Sequence, residues 1–397
     1  MLNILCVATY LKGEAFLQEC RRQGAAVLLL TNDKLADAAW PREAIDEIHT
    51  VPRDASDARV KAAVDAVARR HRIDRIAALD DFDVETGAML REHLQVPGMG
   101  RTTASRFRDK LAMRMKAQDL GIPVPEFTPV FTDGLVNDWT TRIPPPWVLK
   151  PRSSAAAIGI KKVHRHDELW RALEAAGEQR SNCVLERFVP GDVYHVDSIV
   201  WQGRVVFAVA FKYGRPPMQI AHEGGIFITR RLADDSAEGA ALLALNARLL
   251  DGLGLRRGVS HTEFIGRSDG SGGFLFLETS ARVGGAFIVD TIEAATGMNL
   301  WHEWAKIEIA GEHGAYAVPD HRREYAAVVL SLARQPEPDM SSYNDPEIRT
   351  IIRKHHHAGV IVASRDADRI EHLLASYAER FYRDFFATAP PPERPLE

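Results

Sequence analysis

The chain has 397 residues, of which 46% are hydrophobic and 26% are charged, and its formal net charge is -4. These values are typical of a globular enzyme with two or three domains and argue against an intrinsically disordered chain. The slightly acidic balance also argues against a general nucleic-acid binder, because that class usually carries a clustered basic surface.

The N-terminus contains a short apolar run without a basic leader or a small-residue cleavage site, so we expect a first strand there and not a signal peptide. The sequence contains no run of about 18 apolar residues, the length that a membrane-spanning helix needs. Cys6, Cys20 and Cys183 are odd in number and lack the spacing of a metal site. We therefore expect reduced thiols, a cytoplasmic protein and no membrane partner.

Residues 1 to about 100 alternate between strand and helix patterns. Apolar runs predict strands at 3–9, 26–30 and 75–79, and helical periodicity predicts helices at 13–23 and 57–70. This rhythm indicates a parallel sheet covered by helices. No G-x-G-x-x-G follows the first strand, so the dinucleotide-binding motif is missing.

The acidic pair Asp80 and Asp81, followed by Phe82, stands at the end of the third predicted strand. Open α/β sheets tend to bind ligands at this end of their strands. A cap for the following helix, predicted at 83–93, explains the same residues without a ligand, and we prefer that interpretation.

A second region begins with a predicted helix from Asp109 to about residue 120. Two strands, predicted at 147–152 and 183–189, are expected to face each other across a cleft. Between them lies a loop, 153–163, whose small side chains leave backbone N–H groups open to phosphate oxygens, with Lys150 adding positive charge at its edge. A mobile linker with a solvated lysine explains the loop as well, and composition alone favours the linker.

The segment 193–200 alternates polar and apolar residues as a half-buried strand does, and we expect it to pair with 204–211. Two glycines follow His222 and Glu223, which suggests a mobile loop that closes over a substrate. An ordinary polar turn explains this loop equally well.

Two apolar runs, 259–265 and 274–278, flank a glycine-rich turn and predict a β-hairpin. If the hairpin brings Glu263 and Glu278 onto one face, two carboxylates lie side by side in largely apolar surroundings. Such a pair suits Mg²⁺, which proteins typically hold with one or two carboxylates. A surface hairpin with solvated acids is the alternative.

Strand alternation decides which residues share the faces of this hairpin. It places Glu263 with His261 on the first strand, and Glu278 with Phe274 and Phe276 on the second. Arg282 follows the second strand, and its guanidinium can make a two-pronged contact with a carboxylate or a phosphate.

The rest of the chain predicts a smaller α+β unit beyond about residue 313, with a frayed proline-rich end at 389–397. Three consecutive histidines, 355–357, point in different directions in any regular structure, so we prefer a chance tract to a metal site. The remaining patterns predict helices at 237–253, 288–296 and 367–386 and strands at 324–332 and 359–364.

Several of these features follow one another in a fixed order: Asp109 with Lys110, Lys150 with Pro151 and the small-residue loop, Glu186 to Val189 before Gly191, Glu263, and Glu278 with Arg282. This series resembles the ATP-grasp superfamily, in its carboxylate-amine ligase and biotin carboxylase-like branch, over essentially the whole chain. The resemblance implies an α/β and α+β architecture. It consists of a Rossmann-like parallel-sheet domain (1–108), a two-part ATP-grasp domain (109–190 with the lid, 191–312 with the metal and substrate side) and a small C-terminal domain (313–397).

The resemblance also implies a role for each matching residue in binding ATP. Lys110 and Lys150 would reach the phosphates, and the loop with Ser153, Ser154 and Gly159 would fold over them. The linker from Glu186 would bind adenine through the backbone of Arg187, Phe188 and Val189, with Asp192 near the ribose. Glu263 and Glu278 would hold magnesium, and Arg282 would bind the acid substrate or the transferred phosphate.

The sequence departs from the family pattern in three ways. Ser280 stands where an asparagine metal ligand is common, which puts a second magnesium in doubt. The phosphate loop carries alanines where glycines are common, and Asp192 is shorter than the usual glutamate near the ribose.

The expected activity is that of an ATP- and magnesium-dependent ligase that joins a carboxylic acid to an amine through an acyl phosphate. One alternative is a biotin carboxylase-like enzyme that phosphorylates bicarbonate, and another is a nucleotide-binding protein without chemistry. No general base is assigned, because a structural role is the preferred interpretation for both His261 and His222. The expected partners are the small acid and amine substrates, and a homodimer is the default assembly.

Overall fold

The computed structural model of the protein describes residues 1–154, 158–268 and 272–388, and the backbone alone for His222. The alanines of the predicted phosphate loop (155–157), the centre of the predicted hairpin turn (269–271) and the proline-rich end (389–397) lie outside the described residues, as does the side chain of His222.

The N-terminal region forms a parallel sheet, as predicted. The sheet has four strands, β1 Asn3–Val7, β2 Ala26–Asn32, β3 Glu47–Val51 and β4 Arg75–Ala78, in the order β3-β2-β1-β4. Its first strand is the centre: Cys6 pairs with Leu29 on one side and Ala77 on the other. The short strand at Glu47–Val51 was not predicted, since its polar residues hide the apolar pattern. The α-helices of this region are α1 Glu14–Arg22, α2 Asp57–Ala68, α3 Val84–Leu94 and α4 Arg101–Ser105.

An antiparallel sheet in the order β5-β8-β6-β7 forms the next part of the chain, which we call the lid. The prediction that residues 147–152 and 183–189 face each other across a cleft was wrong, because β6 and β8 are hydrogen-bonded neighbours. The elements are α5 Lys110–Asp119, β5 Phe127–Pro129, α6 Asp133–Arg142, β6 Trp147–Pro151, β7 Lys161–Val163, α7 His166–Ala176 and β8 Cys183–Arg187.

An antiparallel sheet of eight strands forms the core of the remaining chain, in the order β13-β12-β9-β10-β11-β14-β16-β15. The C-terminal strands, predicted as a smaller unit, continue this sheet through the pairing of β11 with β14. The elements are β9 Val193–Trp201, β10 Arg204–Tyr213, α8 Pro217–Glu223, β11 Phe227–Arg231, α9 Ala237–Leu253, β12 Gly258–Gly266, β13 Phe274–Ser280, α10 Ile288–Thr296, α11 Leu300–Ala310, β14 Tyr325–Leu332, β15 Ile348–Lys354, β16 His357–Ser364 and α12 Ala367–Asp384.

The segment between β10 and β11, predicted as a mobile loop or a polar turn, contains the short helix α8. The two glycines after this helix both adopt positive φ angles, 74° at Gly224 and 147° at Gly225. A helix of 7 residues is too short to show a clear apolar period, which is why the sequence did not reveal it.

Different side chains line the two faces of the large sheet near the predicted acids. Helices α5 and α9 cover the face that carries Phe264 and Phe276, in a core cluster that includes Leu249. Where α1 meets α11, Phe16 and Trp304 pack edge to face with ring centroids 5.1 Å apart. The opposite face of β9 and β12 forms the floor of the site described next, and it carries the polar residues His195, Asp197, His261 and Glu263 together with apolar residues such as Ile199 and Val259. In the described part of the chain, no helix is long and apolar enough to cross a membrane.

Candidate active site

The two predicted metal acids are directly opposite each other in the hairpin of β12 and β13. Glu263 pairs with Glu278 in the antiparallel register, and the next register pair is Phe264 with Phe276. Directly opposed residues of an antiparallel pair lie on the same face of the sheet, with Cβ atoms about 5 Å apart. The structure therefore brings these two carboxylates together.

A β-bulge at Leu277 changes the predicted faces of β13. Because the register shifts between the two pairs, one extra residue stands on β13. Phe276 packs with Phe264 in the apolar core, and Phe274 packs against Tyr194 with ring centroids 5.2 Å apart. The prediction that Glu278 shares a face with Phe274 and Phe276 was wrong, since strict alternation fails at a bulge.

Hydrogen bonds leave one oxygen of each acid free for another ligand. The Tyr213 hydroxyl donates to Oε1 of Glu263 at 2.9 Å, and Nζ of Lys110 lies 3.1 Å from Oε2 of Glu278. Within the described residues, the second oxygen of each carboxylate accepts no hydrogen bond. Two adjacent carboxylate oxygens are hard ligands of the kind that Mg²⁺ prefers, so this donor set fits the ion.

A buried ion cluster lies under the lid sheet. Nζ of Lys150 lies 2.8 Å from Oε2 of Glu186, and Nε of Arg114 lies 3.0 Å from its Oε1. Burial lowers the pKa of Lys150 to about 8, although the Glu186 carboxylate opposes the shift. Burial raises the pKa of Glu186, but the two cations outweigh it and the net shift is downward. The cluster carries an excess of one positive charge, which an anionic ligand would balance.

Lys110 connects the predicted phosphate loop to the acid pair. Its Nζ donates to the Ser154 carbonyl at 2.6 Å as well as pairing with Glu278. Burial raises the pKa of Glu278, yet the ammonium groups of Lys110 and Lys150 lower it more. The Ser153 carbonyl accepts from Nη2 of Arg108 at 2.5 Å, so two cations hold this end of the loop.

At the other end of the loop, Gly159 adopts φ +75°, and a Cβ there would lie 2.8 Å from Cγ of Pro151. Glycine is therefore required at this position by both conformation and space.

The linker predicted to bind adenine follows β8. The N–H of Arg187 donates to the Glu126 carbonyl at 2.8 Å, and the N–H of Phe188 donates to the Pro146 carbonyl at 3.0 Å. These two N–H groups are engaged within the lid and would not donate to the ring, and adenine binding by the linker backbone stays a prediction. Among the described hydrogen bonds, none uses the N–H of Val189.

Asp192, predicted near the ribose, lies just beyond the linker and is exposed on its carboxylate side. Its Oδ2 lies 2.6 Å from Nζ of Lys212, which also sits over the ring of Tyr194. The structure thus places Asp192 beside a cation at the rim of the site.

Arg282 joins the large sheet to the N-terminal region. Its Nε and Nη2 both donate to Oδ2 of Asp81, at 2.9 and 2.5 Å. Burial raises the pKa of Asp81, but Arg282 and Arg108 outweigh it and hold the pKa at about 2. The neighbouring Asp80 accepts from the Phe82 N–H and caps the 3-10 turn Asp81–Asp83, so it does not cap α3 itself, whose cap position is Asp83 without a side-chain bond.

The sequence reasoning missed several buried polar residues of the site. Arg114 stands four residues after Lys110 on α5, a spacing that puts both on one helix face and could have indicated it. His195 and Asp197 alternate on β9, and the register places them opposite Glu263 and His261 of β12. That alternation was visible, but the strand pairing that brings the four together was not.

The expected resemblance to the ATP-grasp superfamily is confirmed by comparison with known proteins. Residues 17–98 match the family model of the ATP-grasp N-terminal domain. The crystal structure of L-amino acid ligase from Bacillus licheniformis superimposes with a TM-score of 0.74 at 17% identity, covering 98% of this chain and 99% of that one. N5-carboxyaminoimidazole synthetase from Staphylococcus aureus, complexed with ADP, gives a TM-score of 0.72 at 14% identity over 94% and 96% of the two chains. At these identities the likeness shows the fold alone.

Two curated protein sequences with named activities are also similar to this chain. The L-arginine-specific L-amino acid ligase of Bacillus subtilis is 26% identical over 243 residues, which cover 59% of this chain and 58% of that protein. The D-alanine--D-alanine ligase of Pseudomonas putida (strain GB-1) is 27% identical over 249 residues, 57% of this chain and 76% of that protein. The match thus spans less than two thirds of the Bacillus subtilis protein's own length.

Proposed function

We propose that the protein is an ATP-dependent ligase that joins a carboxylic acid to an amine through an acyl phosphate and releases ADP and phosphate. The observation that carries this proposal is the register pairing of Glu263 with Glu278 beside the Lys110 ammonium. Two carboxylates next to a buried cluster with excess positive charge form a site for a polyphosphate and its counter-ion.

The chemistry requires activation of the acid, because a free carboxylate would have to expel oxide. Transfer of the γ-phosphoryl group of ATP to a carboxylate oxygen forms the acyl phosphate and releases ADP. The amine then attacks the carbonyl carbon, the C–O bond to phosphate breaks, and the amine loses a proton as the amide forms. Catalysis of this kind depends mainly on positioning and charge neutralisation.

Each side chain of the site has a part in that scheme. Lys110 and Lys150 would neutralise phosphate oxygens, and the Val189 N–H would bind the adenine edge. The bound magnesium would supply charge stabilisation to the transferring phosphoryl group, held by the free oxygens of Glu263 and Glu278. Arg282, fixed by its two bonds to Asp81, would present its remaining N–H groups to the acid or the acyl phosphate.

Amino acids are the proposed substrates for at least one side of the bond. The names of two relatives, an L-arginine-specific L-amino acid ligase and a D-alanine--D-alanine ligase, support this substrate class. The guanidinium of Arg282 is suited to bind a carboxylate, which agrees with it.

Turnover tests the proposal. Purified protein with ATP and Mg²⁺ should release ADP only when amino acids and small organic acids are supplied in pools, and mass spectrometry should detect the new amide. Glu278→Gln should lower that release at least 100-fold, since removal of a charged ligand weakens the ion and leaves Lys110 unpaired. Glu379→Gln, an exposed glutamate on α12, is the matched control and should behave as wild type.

Normal turnover by Glu278→Gln would refute the assignment of the acid pair. ADP release driven by bicarbonate and biotin, with no amide formed from any pool, would instead favour the carboxylase-like alternative.

A further inference from the structure

A buried polar network lies directly behind the acid pair, on the floor of the site, and the scheme above gives it no part. Its centre is Asp197 on β9, which is fully buried. Nδ1 of His261 donates to Oδ1 of Asp197 at 2.9 Å, and Nδ1 of His195 donates to Oδ2 at 2.6 Å. Nε2 of His195 is 2.8 Å from the Thr229 hydroxyl, which also donates to the Lys212 carbonyl at 3.4 Å.

The network reaches the acid pair through His261. With Nδ1 fixed by Asp197, the ring directs Nε2 toward Oε1 of Glu263, 3.6 Å away. The Tyr213 hydroxyl donates to the same Oε1. Both contacts fall on one oxygen, so they restrain the carboxylate of Glu263 and leave its other oxygen without a described hydrogen bond.

Asp197 also supports the loop that carries Arg282. A Cβ atom on Gly284 would lie 3.0 Å from Oδ1 of Asp197 and 2.8 Å from Cγ2 of Ile288, so the backbone of this loop rests against the carboxylate. One buried side chain thus contacts both the histidine beside Glu263 and the loop after β13.

We propose that Asp197 is a positioning residue of the ligation site, which orients Glu263 through His261 and seats the loop that carries Arg282. This inference rests on the proposed function. Asp197 accepts a hydrogen bond from an imidazole on each of its oxygens, which makes this buried carboxylate a rigid centre. Side chains behind metal ligands commonly change metal affinity or activity 10–100-fold when replaced.

The test compares Asp197→Asn with Ser198→Ala. Ser198 is the adjacent buried residue of β9, and its hydroxyl accepts from Asn246 on the opposite face of the sheet. Both changes alter a buried hydrogen-bonding group on one strand, but only the Asp197→Asn substitution would alter the site, so the pair separates positioning from general stability.

Calorimetry of ADP binding with and without Mg²⁺ supplies a readout that needs no turnover. For Asp197→Asn we expect the Mg²⁺-dependent gain in ADP affinity to fall at least 10-fold, and kcat to fall 10–100-fold. The affinity for ADP without Mg²⁺ should change less than about threefold. Ser198→Ala should leave all three within about threefold of wild type. If Asp197→Asn fails to fold, Gly284→Ala takes its place, because the added methyl group approaches the same carboxylate without removing its charge. Gly284→Ala should also lower kcat.

Equal losses in Asp197→Asn and Ser198→Ala, or an unchanged Mg²⁺-dependent gain in Asp197→Asn, would overturn the inference. Ligand atoms of His195, Asp197 and His261 lie within 4.8 Å of one another, so a stoichiometric transition metal found in the purified protein and lost in Asp197→Asn would overturn it too, in favour of a metal site. Wild-type protein that binds Mg-ADP but forms no amide would count against the proposed ligation and leave the calorimetric comparison as the measure of Asp197.

Discussion

At the scale of single residues, the charges beneath the lid are the most sensitive feature of the site. Within the described part of the chain, Glu186 is the carboxylate that directly contacts both Lys150 and Arg114, and all three are almost fully buried. Removal of one partner from a buried ion group leaves the others uncompensated, which costs about 3–5 kcal/mol. The lid therefore depends on Glu186 for stability before any role in binding.

We expect Glu186→Gln to lower the free energy of unfolding by about 3 kcal/mol, because two buried cations lose their counter-charge. Urea denaturation followed by circular dichroism measures this loss. Glu174→Gln, on the exposed face of α7, is the control and should change stability by less than about 0.5 kcal/mol. A loss of similar size in both variants would show that the cluster contributes little.

The buried carboxyl of Asp83 makes the free energy of unfolding depend on pH. Burial raises the pKa of Asp83 to about 7, although the Thr9 hydroxyl and N–H both donate to it. In the unfolded chain the pKa of an aspartate is about 3.9, so the native state binds more protons than the unfolded state between about pH 4 and pH 7. The free energy of unfolding therefore falls as the pH rises through that window. The stabilisation is complete below the unfolded pKa and is lost above the folded one.

Asp83→Asn should remove this pH dependence. Asparagine can still accept from the Thr9 N–H and donate to its hydroxyl, so we expect the variant to be more stable than wild type at pH 8. The gain is at most about 4 kcal/mol, since each pKa unit corresponds to about 1.4 kcal/mol. Chemical denaturation at pH 5, 6, 7 and 8 measures both slopes, and parallel slopes for the two proteins would contradict the assignment.

At the scale of elements, Gly159 constrains the backbone just before β7. Its positive φ and the nearby Pro151 ring exclude a side chain. An alanine in this region of φ costs about 1–2 kcal/mol, before any clash.

Gly159→Ala should therefore raise the KM for ATP about 5- to 30-fold, the factor that corresponds to about 1–2 kcal/mol of loop strain, if the loop closes on the phosphates. Steady-state kinetics at varied ATP concentration measures the change. Gly177→Ala carries a similar positive φ at the end of α7, with open space around it, and should leave KM unchanged. An unaltered KM in Gly159→Ala would separate this loop from nucleotide binding.

At the scale of the whole molecule, one sheet runs from the acid pair to the C-terminal strands. Strand β11 pairs with β14 from Phe227 to Arg230, and α12 packs over that end with Tyr377 and Phe381 fully buried. Without β14 to β16, β11 becomes an unprotected edge and a large apolar surface is exposed. The predicted domain boundary at 313 and the expected homodimer stay predictions.

A chain that ends at residue 312 should therefore aggregate. We expect it in the insoluble fraction, or as large assemblies by size-exclusion chromatography, under conditions that keep the full-length chain soluble. Co-expression of residues 313–397 as a separate chain should restore soluble protein by completing the sheet. A soluble 1–312 fragment with a cooperative unfolding transition would show that the two parts fold independently.

Local patterns in the sequence were enough to predict most elements and the main chemical groups. Apolar runs and helical periods identified the parallel N-terminal sheet, and the hairpin turn brought Glu263 and Glu278 to neighbouring strands. Such features depend on spacing within a few residues, where side-chain direction follows the backbone period. Lys150 was identified from its place at the edge of the small-residue loop, whereas Lys110 was assigned only through the resemblance to the ATP-grasp superfamily.

Tertiary structure alone decided how these pieces meet. The bulge at Leu277 set the faces of β13, and the contact of Arg282 with Asp81 joins residues 201 positions apart. The network around Asp197 exists only because β9 and β12 pair in one register. The packing of whole faces against one another determines strand register and long-range contacts. A single sequence does not reveal which distant faces will pack together.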